Sequence, residues 1–266
     1  MTHRRYRLAA VFSAAVLLAG CSSPAPASSD PTPETFHTPA LSGELTVVAA
    51  ASLTGSFDKL AAEFGADNPG VTVKPVVYDG SSTLVTQLSE GAVADVFASA
   101  DETNMRKASD AGLISGEPTT FASNTLQIAV APGNPKGITG LADLAKSDLL
   151  VVLCAPQVPC GAASHKILNL DAVAVTPVSE EQNVKGVLTK VAAGEADAGL
   201  VYQTDVAASN GAVDGVAIAG AERAVNKYSI GIPRSAEDAK VGQAFITWVL
   251  SEAGQRILKA FGFGRP

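Results

Sequence analysis

The chain has 266 residues, a formal net charge of −7, and 47% hydrophobic, 17% charged and 5% aromatic residues. This acidic balance lacks the basic footprint that nucleic-acid binding requires, so nucleic acid is excluded as a partner. The low aromatic content argues against sites for sugars or quaternary amines, which usually stack on aromatic rings.

The first twenty residues are typical of an export signal. Three arginines among the first seven residues precede an apolar run at 8–18, which is too short to span a bilayer as a mature helix. The run ends in Leu-Ala-Gly-Cys, which resembles the bacterial lipoprotein cleavage site. We therefore expect a signal peptide at 1–20 and a lipid on Cys21 that anchors the protein to the outer face of the cytoplasmic membrane. An ordinary signal with an incidental Cys21 is the alternative.

Residues 21–43 are predicted to form a disordered tether, because they are rich in Pro, Ser and Thr and cannot bury a core. Removal of the three signal arginines takes the net charge from −7 to −10. The remaining length suits two α/β lobes. We assign 44–123 with 229–266 to the first lobe and 124–228 to the second.

The first part of the folded chain alternates short β-rich runs with apolar residues at helical spacing. Such alternation predicts an α/β fold in which a mostly parallel sheet is flanked by helices, with ligand sites outside the carboxyl ends of the strands. The expected strands are 45–49, 71–77 and 94–98, and the expected helices are 56–64, 83–90 and 105–111.

The second part repeats this alternation between two crossing strands. A strand at 125–131 is expected to carry the chain into the second lobe, and one at 227–232 is expected to return it to the first. Two crossings predict a hinged, two-lobed molecule. The other expected strands are 150–153 and 198–202, and the helices are 162–169, 184–193, 241–250 and 254–261.

Small polar clusters occur where predicted helices begin, at 50–53, 79–83, 158–161 and 183–186. A helix start offers unpaired backbone N–H groups and the positive end of the helix dipole. Several helix starts aimed at one point form an anion site without a charged side chain. The alternative for Ser52 and Ser81 is simple helix N-capping.

The folded part of the sequence contains few residues or motifs that indicate catalysis. His165 is its single histidine, and no Gly-x-Ser-x-Gly elbow or phosphate-binding Gly-x-x-x-x-Gly-Lys-Ser/Thr loop occurs. We interpret His165 as a polar residue on a helix face. An exported hydrolase using Ser81 as its nucleophile remains the alternative, and we expect neither an enzyme nor a cofactor.

The sequence has three cysteines, and if Cys21 carries the lipid, Cys154 and Cys160 are left as a possible pair. In an exported, oxidising setting such a pair is expected to form a disulfide. Closing so short a loop stabilises the fold by about 2 kcal/mol in the chain-entropy model, so its main effect is to stiffen the residues around Cys160. Two buried free thiols are the alternative.

In this order the motifs resemble the molybdate-binding proteins of bacterial ABC importers, which are type II periplasmic binding proteins with two lobes. The resemblance runs from about Leu45 to the C-terminus. It rests on Ala-Ala-Ala-Ser-Leu at 49–53, Gly-Ser-Ser-Thr-Leu at 80–84, Ala-Asp-Val-Phe-Ala-Ser-Ala-Asp at 94–101, Val-Pro-Cys-Gly at 158–161 and Gly-Glu-Ala-Asp-Ala-Gly-Leu-Val-Tyr at 194–202.

The resemblance implies a tetrahedral dianion, molybdate or tungstate, closed between the lobes. It assigns hydroxyl donors to Ser52, Ser81 and Tyr202, and backbone N–H donors to Cys160 and Val184. Molybdenum enters only as this oxyanion. The implied partners are a membrane permease with its cytoplasmic ATPase, and the protein is expected to be a monomer. The same fold binding sulfate or phosphate is the alternative.

Thr54, Ser82 and Asp79 are expected beside the ligand-binding residues. Asp79 departs from the family pattern, which often has a small neutral residue there, and a carboxylate facing inward would repel a dianion. We expect Asp79 to point outward or to accept hydrogen bonds from nearby backbone N–H groups.

Overall fold

A computed structural model describes residues 40–266. The predicted signal peptide, Cys21 and most of the tether lie outside these residues. The strands are β1 (Gly43–Leu45), β2 (Val47–Ala50), β3 (Val71–Val73), β4 (Val77–Asp79), β5 (Val96–Ser99), β6 (Ile114–Asn124), β7 (Leu126–Val130), β8 (Val151–Cys154), β9 (Ser179–Glu181), β10 (Ala198–Tyr202), β11 (Asp214–Ala217) and β12 (Asn226–Pro233).

Amphipathic helices cover these strands. Helix α1, for example, buries Phe57, Leu60 and Phe64 on one face, at the spacing that the sequence shows. The helices are α1 (Ser56–Asp67), α2 (Ser81–Ser89), α3 (Glu102–Asp110), α4 (Pro159–Leu170), α5 (Val184–Ala192), α6 (Gln203–Ala208), α7 (Ala239–Leu250) and α8 (Glu252–Ala260), with short 3-10 helices at Ala51–Leu53, Leu141–Ala145 and Ala221–Ala224.

Two five-stranded sheets organise the described chain. The first sheet has the order β4-β2-β5-β12-β6, and the second has the order β11-β7-β10-β8-β9. The chain passes from the first sheet to the second between β6 and β7, and it returns at β12. The two-lobed α/β fold with two crossings is therefore confirmed.

Both sheets are mixed, whereas the sequence predicted mostly parallel sheets. In the first sheet β2 pairs in parallel with β4 and β5, but β12 is antiparallel to β5 and β6. In the second, β8 is parallel to β9 and β10, but β7 is antiparallel to β10 and β11. Antiparallel pairs arise because the crossing strands run between the lobes and do not belong to strand-helix-strand units.

The predicted strand at 71–77 is two strands in the structure. β3 pairs with β1 in a small separate ladder, whereas β4 joins the edge of the first sheet beside β2. The break falls at Pro75, which has no N–H to donate to a strand partner. The sequence analysis also missed β6, whose Gly116 and Pro118 interrupt its pattern. Pro118 is tolerated because β6 is an edge strand.

Each lobe has its own apolar core. In the first lobe aromatic rings meet edge to face, with ring centroids 5.7 Å apart for Phe57 and Phe121 and 5.3 Å apart for Phe64 and Phe245. Trp248 is partly buried against this core, and its indole N–H donates to Asp67 at 3.1 Å. These rings hold the first sheet against α1 and α7.

The structured part begins slightly earlier than the sequence predicted. β1 starts at Gly43, and the partly buried Leu41 packs against the first-lobe core, whereas the folded part was expected from Glu44. Among residues 40–266, no helix has both the length and the apolar character needed to cross a membrane.

Candidate functional site

The polar clusters at the predicted helix starts converge on one small pocket between the two sheets. The pocket is small, with a cavity volume of about 10 Å³, close to the space that one enclosed water molecule needs. None of its lining residues is charged. They are Ala50, Ala51, Ser52, Gly80, Ser81, Ala100, Val158, Pro159, Cys160, Asn183, Val184 and Tyr202.

The first lobe contributes two buried serines that follow adjacent parallel strands. Ser52 lies in the 3-10 helix after β2, and Ser81 is the first residue of α2, directly after β4. Neither serine is the N-cap of its helix, since those positions are Ala50 and Gly80. The N-capping alternative therefore does not describe these side chains.

Both serine hydroxyls form hydrogen bonds with groups of the first lobe. Ser81 Oγ accepts the Ala100 backbone N–H at 2.9 Å, which occupies a lone pair and leaves the hydroxyl proton available. Ser52 Oγ lies 2.9 Å from the hydroxyl oxygen of Tyr228. Each serine hydroxyl thus has one recorded partner among residues 40–266, and both serines line the pocket.

The second lobe contributes helix starts. Pro159 is the first residue of α4 and has no N–H, so the first amide of this helix belongs to Cys160. In α5 the Asn183 side chain caps the helix by accepting the Gly186 N–H at 3.1 Å. Val184 is the first residue of α5, so its backbone N–H has no carbonyl partner within the helix. Both helices direct the positive ends of their dipoles toward the pocket.

The predicted disulfide between Cys154 and Cys160 is present, with their Cα atoms 5.7 Å apart. Both cysteines are buried, and the bond joins the end of β8 to the first turn of α4. Because Cys160 lines the pocket, the disulfide restrains one of its walls.

Tyr202 completes the pocket with a hydroxyl that lacks a protein partner. Its side chain is 1% exposed, and its hydroxyl oxygen has no hydrogen-bond partner among residues 40–266. Burial raises the pKa of Tyr202 well above its usual value, so the hydroxyl keeps its proton. A buried donor without an acceptor is unusual, since such groups are nearly always paired.

Asp205 holds the backbone of Tyr202 in place. Its carboxylate accepts the Tyr202 N–H at 3.1 Å and pairs with Lys185 Nζ at 2.9 Å. Burial raises the pKa of Asp205, and Lys185 opposes that shift. The pair is balanced in charge and lies outside the pocket lining, so it does not supply a net positive charge to a ligand.

The three residues that were expected beside the site lie outside its lining. Thr54 donates its hydroxyl to the Ala51 carbonyl at 2.8 Å, which is a local turn contact. Ser82 is half-buried. The Asp79 carboxylate accepts from the Gly80 N–H at 2.7 Å and from Asn183 Nδ2 at 3.0 Å. The expected backbone contact of Asp79 is thus present, and a bond across the lobes accompanies it.

Sequence reasoning missed the polar residues of the crossing strands that support the pocket from behind. Asn226 Nδ2 donates to the Ala100 carbonyl at 2.9 Å and to the Pro159 carbonyl at 3.4 Å, so it joins one wall from each lobe. Asn124 and Tyr228 contact each other at 3.4 Å behind Ser52. The sequence offered one signal for these residues, because Asn124 and Asn226 lie at the ends of the strands that connect the lobes, β6 and β12.

His165 lies in α4 but does not line the pocket. Within the described residues, no cluster of three or more His, Cys, Asp or Glu side chains is arranged to hold a metal ion. The pocket lining itself offers hydroxyls and the backbone amides of two helix starts, a combination that suits an anion.

Comparison with known proteins is consistent with this geometry. The family described as bacterial extracellular solute-binding protein matches residues 45–264. The chain is also 43% identical over 255 residues to the molybdate-binding protein ModA of Mycobacterium tuberculosis, with 95% of each sequence covered.

Two solved structures share the fold. The Azotobacter vinelandii periplasmic molybdate-binding protein matches with a TM-score of 0.70 and 23% identity, over 84% of this chain and 99% of that one. The sulfate-binding protein SubI of Mycobacterium tuberculosis matches with a TM-score of 0.70 and 17% identity, over 83% and 86%. Since the two TM-scores are equal, the fold alone does not distinguish these ligands.

Proposed function

Because the chain belongs to the bacterial extracellular solute-binding protein family, we propose that it is the substrate-binding subunit of an ABC importer and that its ligand is molybdate. The relative at 43% identity carries that ligand in its name. The observation that carries the proposal is the buried Tyr202 hydroxyl, which has no hydrogen-bond partner within residues 40–266 and lies in a small pocket whose lining residues are all uncharged. An oxyanion would accept the hydrogen bond that Tyr202 lacks.

The donor set has the right chemistry for a dianion. Ser52, Ser81 and Tyr202 supply hydroxyls, and Cys160 and Val184 supply backbone amides. A hydrogen bond to a charged acceptor contributes roughly 1.5–3 kcal/mol. Five such bonds, together with two helix dipoles, offset the desolvation of a doubly charged ion without an Arg or Lys.

The ligand class should include tungstate, which has the same shape and charge as molybdate. Phosphate keeps a proton at neutral pH, and a pocket of donors offers no acceptor for that proton. Sulfate has no such proton and must be rejected by its smaller size. Binding of sulfate or phosphate in this fold is the alternative function.

The protein is proposed to deliver its ligand without changing it. A hydrolase using Ser81 would need a general base at the serine, but the bond recorded for Ser81 Oγ in residues 40–266 comes from the Ala100 amide, which is a donor. Delivery would be to a membrane permease driven by a cytoplasmic ATPase. A lipid on Cys21 would hold the monomer near that permease. Two lobes would close on the ligand. The first would consist of residues 44–123 and 229–266, and the second of residues 124–228.

Calorimetric titration with molybdate, tungstate, sulfate and phosphate tests the proposal. We expect tight binding of the first two ions and little or no heat from the others, because only the first two fill the pocket while accepting every bond. Binding of sulfate or phosphate without molybdate or tungstate would overturn the assignment of the ligand.

A further inference from the structure

Tyr228 lies behind the pocket and contacts one of its proposed ligand donors. The residue is fully buried in β12, and its hydroxyl oxygen lies 2.9 Å from Ser52 Oγ. Either oxygen could donate in this pair. The direction matters, because it decides whether Ser52 presents a proton or a lone pair to the pocket.

Asn124 determines that direction. Its Oδ1 accepts the Thr125 backbone N–H at 3.0 Å, and since a backbone amide can only donate, the side-chain nitrogen of Asn124 must face the other way. That nitrogen donates to Thr204 Oγ1 at 2.8 Å and to the Tyr228 hydroxyl oxygen at 3.4 Å. Tyr228 therefore receives a proton from Asn124.

With its oxygen accepting from Asn124, Tyr228 can donate its own proton to Ser52, whose Oγ is the nearer of the two recorded partners at 2.9 Å. Among residues 40–266, the hydroxyl of Tyr228 has two recorded partners, and Asn124 Nδ2 is a donor. Ser52 Oγ is the remaining recorded partner, so donation from Tyr228 to Ser52 is the arrangement that uses the Tyr228 proton. The hydroxyl proton of Ser52 is left for the pocket.

The Ala100 backbone amide orients the Ser81 hydroxyl in the way that Tyr228 orients Ser52. Ser81 Oγ accepts the Ala100 amide, so its proton is also left for the pocket. Burial raises the pKa of Tyr228 and of Tyr202, so both phenols stay protonated at neutral pH. The pocket consequently presents donors from every hydroxyl.

We propose that Tyr228, itself oriented by Asn124, is a specificity-determining positioning residue that makes Ser52 an obligate hydrogen-bond donor. Without the Tyr228 hydroxyl, Ser52 could rotate and accept a hydrogen bond from a protonated oxyanion. The relay thus helps the pocket to select fully deprotonated tetrahedral oxyanions over those that keep a proton. This inference rests on the proposed function, namely binding of a molybdate-type dianion in the same pocket.

The test is a double-mutant cycle of Tyr228→Phe and Ser52→Ala, measured by molybdate calorimetry. Tyr228→Phe keeps the ring contacts with Phe121, Tyr202 and Phe263, so the fold should be retained, and thermal unfolding checks this. We expect Tyr228→Phe to weaken molybdate binding by about two- to tenfold in the wild-type background, which is the range for one neutral hydrogen bond. In the Ser52→Ala background it should have no further effect.

Phosphate competition against bound molybdate supplies a readout that a merely structural role would not change. Tyr228→Phe should lower the preference for molybdate over phosphate. Tyr78→Phe is the matched control, because the Tyr78 hydroxyl donates to Asp58 outside the pocket, and it should leave both affinities unchanged.

The proposal is overturned if Tyr228→Phe has no effect on molybdate affinity, or if it weakens binding by the same factor with and without Ser52. It is also overturned if the molybdate-to-phosphate preference of Tyr228→Phe equals that of the wild type. A wild-type protein that binds no molybdate would instead reject the proposed function, before any variant is compared.

Discussion

At the scale of single residues, the pocket is defined by hydroxyl groups that can still donate a hydrogen bond to a ligand. Ser81 Oγ is occupied as an acceptor by Ala100, and Tyr202 has no partner in the described chain. Leaving a buried polar group unpaired costs about 1–3 kcal/mol. A ligand that accepts from Tyr202 removes this cost, so affinity should depend strongly on that hydroxyl.

We predict that Tyr202→Phe weakens molybdate binding by roughly tenfold or more, because a hydrogen bond to a charged acceptor is lost. The stability of the ligand-free protein should change little or rise slightly, since the hydroxyl has no partner in the part of the chain that the structure describes. Calorimetry and thermal unfolding measure the two effects. Unchanged affinity would show that Tyr202 does not contact the ligand.

At the scale of elements, the site is built from helix starts that are held at fixed distances from their preceding strands. The disulfide from Cys154 to Cys160 fixes the start of α4 against the end of β8. Gly80, at the N-cap of α2, faces the second lobe so closely that a Cβ there would clash with the Gln182 carbonyl oxygen. This glycine lets the first turn of α2 approach the connection before α5.

Gly80→Ala should therefore weaken molybdate binding by more than tenfold, because the added methyl keeps the two walls apart. The backbone of Gly80 has φ −61° and ψ 139°, which alanine adopts without strain, so ligand-free stability should be nearly unchanged. Gly140→Ala is the matched control, since a Cβ there meets nothing within 4 Å. Equal affinities for both variants would contradict the close approach at Gly80.

At the scale of the whole molecule, polar contacts join the lobes around the pocket. Asn183 of the second lobe donates to Asp79 of the first at 3.0 Å, and Asn226 joins Ala100 to Pro159. Because the bonds from Asn183 to Asp79 and from Asn226 to Pro159 form only when the lobes are together, they contribute to the free energy of closure and so to affinity. Asp79, whose charge is unfavourable for an anion site, is thus interpreted as a contact between lobes.

Asp79→Ala should lower molybdate affinity by about threefold, the effect of one half-exposed charge-assisted hydrogen bond. The increase in unfolding temperature caused by saturating molybdate should fall in parallel. Asp214→Ala is the charge-matched control, because the Asp214 carboxylate is exposed and accepts from the Gly133 N–H at 2.7 Å. Tighter binding by Asp79→Ala would mean that the carboxylate repels the ligand.

The sequence was sufficient for properties that depend on neighbouring residues. Apolar spacing predicted α1, and alternation of strands and helices predicted the α/β class. Polar clusters at helix starts indicated the segments of an anion site, and the family resemblance assigned the donors Ser52, Ser81, Cys160 and Val184, which the structure brings together. These predictions hold because helix starts and amphipathic faces are encoded locally.

Only the tertiary structure decided what depends on contacts between distant residues. The antiparallel pairing of β12, the bond from Asn183 to Asp79 and the contacts of Tyr228 with Asn124 and Ser52 each join segments far apart in the chain. A local pattern can place a hydroxyl at a helix start, but the direction of its hydrogen bond depends on which groups the fold brings against it. The sequence therefore indicated which groups could serve an anion, and the fold determined that these groups line one pocket.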